Sequence, residues 1–69
     1  TVEETLWRAV IASTVREWQH GPVRQRREAE QYLLHDEADY RTVCLAAGID
    51  PVGLRERLRR IRPQQNAQN

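Results

Sequence analysis

The chain has 69 residues, with 11 basic and 10 acidic side chains and a formal charge of +1. A chain this short holds one small domain that buries only about 60% of its unfolded surface, so a substrate cleft would compete with the core for residues, and an enzyme is not expected. No apolar run approaches the ~20 residues that cross a bilayer, a lone cysteine makes no internal disulfide, and Thr1-Val2-Glu3-Glu4 is acidic where a signal peptide is basic. A soluble protein of the reducing cytoplasm is expected.

The near-neutral total conceals a segregation. Residues 1–39 carry five Arg against eight acidic residues, a net −3, whereas residues 40–69 carry six Arg against two, a net +4. Every cation is arginine. GC-rich coding explains that plainly, yet it also leaves each cation able to fork two hydrogen bonds to phosphate or guanine.

No segment alternates apolar with polar as a strand would, so the fold class expected is all-α, a compact four-helix domain over residues 1–62. Helix 1 starts at a capping box of Thr1 and Glu4 and carries Leu6, Trp7, Val10, Ile11, Thr14 and Trp18 as one apolar stripe. Trp7 and Trp18 lie three turns apart, and core is the role expected of them, with one ring free to meet a partner in a domain this thin. Gly21-Pro22 ends the helix by a left-handed exit and opens helix 2, which runs from Val23 to about Leu34. Its inward face is Ala29, Tyr32 and Leu33, and its outer face pairs Arg26 with Glu30. His35 to Asp39 reads as a short acidic loop whose last residue caps helix 3. Tyr40, Val43, Cys44 and Ala47 form the buried line of helix 3, and Gly48 follows directly. Asp50-Pro51 then reads as cap and first residue of helix 4, with Leu54, Leu58 and Ile61 facing inward. Residues 63–69 have nothing to bury and read as a disordered tail.

Helix 3, a glycine turn and a capped, arginine-rich helix 4 compose a helix-turn-helix over about residues 40–62, an arrangement whose second helix can enter a major groove. Close crossing of the two helices needs a small side chain, which Cys44 supplies. The turn needs tolerance of positive φ, supplied by Gly48, and the second helix needs an apolar anchor, supplied by Leu54. Between residues 55 and 62 stand five Arg against one Glu, more than a solvated face requires.

The stretch Val43-Cys44-Leu45-Ala46-Ala47-Gly48-Ile49-Asp50-Pro51-Val52-Gly53-Leu54 resembles the helix-turn-helix signature of bacterial and phage regulators. Two positions depart from it: Cys44 stands where Ala is usual, and Arg57 where an apolar residue is usual, with Leu58 one place late. Ala29 to Leu34, Asp39 to Cys44 and Gly48 to Pro51 are in addition similar to small proteins of phages, prophages and gene transfer agents in GC-rich proteobacteria. The resemblance implies a DNA-binding domain of a transcriptional regulator, with base-reading positions at Asp50, Pro51, Val52, Arg55, Glu56 and Arg59. Arg55 and Arg59, four apart, would reach successive base edges, while Arg41, Arg60 and Arg62 would meet phosphates.

Other chemistries find less. His20, His35 and Cys44 lack the paired short spacings of a zinc site, so no metal or other cofactor is expected. Cys44 faces inward in this reading, away from the exposure a nucleophile needs. Acidic residues near helix starts are explained by capping and the macrodipole. The partner expected is double-stranded DNA, with no membrane and no small-molecule substrate. A monomer of this size would hold DNA weakly, so a homodimer, or membership in a longer chain as Thr1 in place of Met would allow, is expected too. The alternative is a protein–protein adaptor that docks on RNA polymerase or a phage packaging component through its acidic half.

Overall fold

The computed structural model of the chain describes residues 1–61. The tail from 63 to 69 and Arg62 lie outside the described residues. Thr1 opens α1, Val2–His20, by accepting a hydrogen bond from the Glu4 amide at 3.0 Å. The reciprocal half of the capping box is looser, with Glu4 Oε1 3.7 Å from the Thr1 nitrogen. Of the apolar stripe on α1, Ile11 and Trp18 are buried, Trp7 is half-buried, and Leu6 is 59% exposed.

Gly21 ends α1, but not by the left-handed exit expected: its φ of −77° and ψ of 172° are extended backbone. A Cβ there would stand 2.7 Å from the Glu17 carbonyl oxygen, so glycine answers a close approach rather than a handedness. Pro22 caps α2, Val23–Glu30, from just outside the helix. The chain then continues as a π-helical turn, Gln31–His35, in which the Asp36 amide donates to the Gln31 carbonyl at 2.9 Å. Helix therefore occupies part of the stretch expected to be an acidic loop, and only Asp36 and Glu37 link it to α3, Ala38–Ala46. Asp39 lies inside the first turn of α3 instead of capping it. Asp36 does the capping, its Oδ1 accepting from the Tyr40 amide at 2.9 Å.

The turn after α3 matches its expectation. Gly48 has φ of +71°, the left-handed region in which a side chain is strained, and four residues, Ala47 to Asp50, join α3 to α4, Pro51–Ile61. Asp50 caps α4, its Oδ2 accepting from the Gly53 amide at 3.2 Å. On α4, Leu58 is buried and Leu54 half-buried, whereas Ile61, expected inside, is 57% exposed because nothing among the described residues reaches that end of the helix.

All the described residues outside turns and linkers are helical. The core joins Ile11 and Trp18 of α1, Ala29 and Leu33, Tyr40 and Cys44 of α3, and Leu58. Trp18 donates its indole N–H to Glu30 Oε1 at 3.3 Å, which takes Glu30 from the pairing with Arg26 expected on the outer face of α2. Arg8 donates to the Ala47 carbonyl at 2.8 Å and so ties α1 to the C-terminal end of α3.

Candidate nucleic-acid interface

The sequence assigns Asp50, Val52, Arg55, Glu56 and Arg59 to bases and Arg41 and Arg60 to phosphates. The structure brings Arg41, Asp50, Val52, Arg55, Glu56 and Arg59 together around one groove of about 370 Å³ between α3 and the first half of α4. The groove floor is Tyr40, Leu45 and Pro51. These residues do not have equal freedom.

Arg55 is engaged within the fold. Its side chain is 16% exposed, and its guanidinium lies 4.2 Å from the centre of the Tyr40 ring. Arg55 Nε donates to the Leu33 carbonyl at 2.8 Å, and Nη2 donates to the Asp36 carbonyl. Both acceptors belong to the π-helical turn and the linker after it, where a helix end leaves carbonyls without amide partners. Arg55 thus closes the end of one helix from the flank of another, with two of its five N–H groups committed to the fold and the side chain held inward. Glu37 Oε2 lies 3.7 Å from Arg55 Nη1, but that carboxylate is 89% exposed and adds little.

Asp50 is likewise occupied by its cap, and Pro51 presents its carbonyl to the Tyr40 hydroxyl, which donates at 2.7 Å. Arg59 is exposed and makes one bond, from Nη2 to the Leu34 carbonyl at 3.1 Å. Val52 is 66% exposed, and Arg41, Glu56, Arg57 and Arg60 are exposed without a hydrogen bond or ion pair among the described residues. By helical period, Val52, Glu56 and Arg60 run down the outward face of α4, with Arg59 on one flank and Arg57 on the other.

The sequence assigns no contact to Arg57, which departs from the apolar residue of the resembled signature, and the structure leaves it exposed. The clamp made by Arg55 was not anticipated either. Its signal was the offset of about 60° from Leu58 on the helical wheel, which puts residue 55 at the rim of the buried line rather than on the outward face.

Cys44 is fully buried and its thiol pKa is pushed up, chiefly by burial, against the opposing pull of the Tyr40 hydroxyl and Arg55. Burial also pushes the Tyr40 hydroxyl up, with the neighbouring Cys44 adding to it and Arg55 opposing. Among the described residues, no three His, Cys, Asp or Glu side chains converge on a point where a metal ion could sit, and no helix is long and apolar enough to cross a membrane.

No protein-family model, curated protein or solved structure matches the chain.

Proposed function

We propose that this chain binds double-stranded DNA as the helix-turn-helix domain of a transcriptional regulator, with α4 in the major groove. The observation that carries the reading is the outward face of α4. Arg57, Arg59 and Arg60 are exposed there, Arg41 extends the same positive edge from α3, and Gly48 in its left-handed turn sets the two helices against each other. Among the described residues Arg41, Arg57 and Arg60 have no internal side-chain partner and Arg59 has a single hydrogen bond, and exposed guanidinium groups of this kind are what a polyanion recruits.

The roles follow the freedom of each side chain. Arg59 reaches a guanine edge by exchanging its single bond to Leu34. Val52 meets a thymine methyl, and Glu56 accepts from a cytosine amino group. Arg41, Arg57 and Arg60 neutralise phosphates. Arg55 and Asp50 act through α4, the first holding it against the π-helical turn and the second starting it, so neither reads a base.

A second reading draws support from the groove floor, because Leu45 and Val52 are exposed apolar side chains on either side of the turn and would suit an adaptor that grips a protein segment. Amide shift mapping by NMR separates the two. Addition of a random duplex should move the Arg41, Val52, Glu56, Arg59 and Arg60 resonances and leave the middle of α1 unmoved. An unchanged spectrum at low salt overturns DNA binding.

A further inference from the structure

A second groove, of about 350 Å³, runs between α1, α2 and α3 and shares no residue with the groove beside α4. Its floor is apolar: Trp7 and Val10 from α1, Tyr32 from the π-helical turn, and Val43 from α3. Three carboxylates, Glu17, Glu28 and Asp39, stand around it, one from each of the three helices. All three are exposed, and none has an ion-pair partner among the described residues. No basic side chain lines the groove. Leu6, one turn before Val10 and 59% exposed, prolongs the apolar floor along α1.

The groove therefore combines an apolar floor with carboxylates from three separate helices that are unpaired among the described residues. Burial, with the Asp39 and Asp36 carboxylates adding to it, pushes the Tyr32 hydroxyl up to about 12. A ligand that satisfies such a surface has apolar side chains at helical spacing for the floor and cations on both flanks for the rim.

We infer that this groove docks a basic amphipathic helix of a partner protein, with apolar residues of that helix against Trp7, Val10, Tyr32 and Val43 and its Lys or Arg side chains against Glu17, Glu28 and Asp39. The site is independent of the DNA reading, for it uses the acidic half of the chain and leaves α4 free. It makes the molecule two-sided, with a polyanion surface at one side and a polycation surface at another.

Trp7 is half-buried in the groove while Trp18 is sealed in the core, so tryptophan emission reports occupancy directly. The test titrates the chain with a leucine–lysine peptide patterned at the helical period, and with a shuffled peptide of the same composition. The patterned peptide should shift the emission, and the shift should vanish in Trp7→Phe. Replacing the rim, Glu17→Gln with Glu28→Gln and Asp39→Asn, should weaken binding about tenfold, with a smaller salt dependence. Equal binding of the shuffled peptide, or undiminished binding by the rim variant, would overturn the proposal. So would self-association of the unliganded chain, if sedimentation shows it and the rim variant abolishes it, because the occupant would then be a second copy.

Discussion

Arg55→Met separates a structural clamp from a DNA-reading side chain, because it keeps the apolar stem and removes every donor. The parent side chain makes two charge-assisted hydrogen bonds to partly buried carbonyls of Leu33 and Asp36. At the lower end of the usual range, such a pair stabilises by about 3 kcal/mol. The guanidinium over Tyr40 adds about 0.5–1 kcal/mol, and the exposed Glu37 partner adds nothing measurable. The expected loss is therefore about 3–4 kcal/mol, against a total stability of about 3–10 kcal/mol for a chain of this length. At about 4–8 °C per kcal/mol, Tm should fall by about 12–32 °C. Arg55→Lys should fall between the two, since one ammonium cannot span both carbonyls in the plane of a fork. Arg59→Met, which removes a single bond from an exposed side chain, should cost no more than about 1 kcal/mol. Thermal melts by far-UV circular dichroism read all three. A Tm for Arg55→Met within about 3 °C of the parent, or equal to that of Arg59→Met, would refute the clamp and return Arg55 to the surface.

Two further outcomes follow from the turn and the tyrosines. Gly48→Ala should lose about 1–2 kcal/mol from the left-handed backbone, besides displacing the Glu4 carboxyl that a Cβ would meet. Gly48→Asn should lose less, because Asn tolerates that region, and a urea melt that ranks Asn below Ala would contradict the assignment. Tyr32, raised from 10.0 to about 12 in the folded chain by burial and by Asp39 and Asp36, contributes stability that is complete below about pH 10 and is lost as the pH rises through 12. Tyr40 shifts in the same direction. Absorbance at the phenolate band should therefore titrate later in the native chain than in concentrated urea, and coincident curves would contradict the burial of both rings.

How far the sequence could be read depends on the range of the forces involved. Local backbone chemistry was legible: Thr1 and Asp50 cap, Gly48 turns left-handed, and Pro51 begins a helix, because each depends on atoms within a few residues. Phase within a helix was legible as well, which is how Trp18, Leu33, Cys44 and Leu58 were placed inside. What each helix would find opposite its stripe was not. Leu6 and Ile61 continue apolar stripes in the sequence and yet lie exposed. Gly21 looked left-handed because glycine just past a helix end commonly is, but the following Pro22 favours extended backbone, and the approach of the Glu17 carbonyl is what requires glycine. The candidate interface was legible as a set of positions and not as a set of free groups. Arg55 and Arg59 look alike at a four-residue spacing; the helical wheel puts Arg55 nearer the buried line, and the carbonyls of Leu33 and Asp36 then engage it twice where Arg59 makes a single bond to Leu34. No apolar periodicity marks the π-helical turn in the sequence.

The central claim is that exposed arginines around α4 bind a polyanion, and the salt dependence of duplex binding tests it most directly. If Arg41, Arg57 and Arg60 neutralise one phosphate each, log affinity should fall against log salt with a slope of about −3. Changing Arg57 and Arg60 to Gln should reduce the slope to about −1, while leaving Tm close to that of the parent because neither side chain has an internal partner among the described residues. A slope unmoved by those two substitutions, or no binding at low salt, would contradict the account.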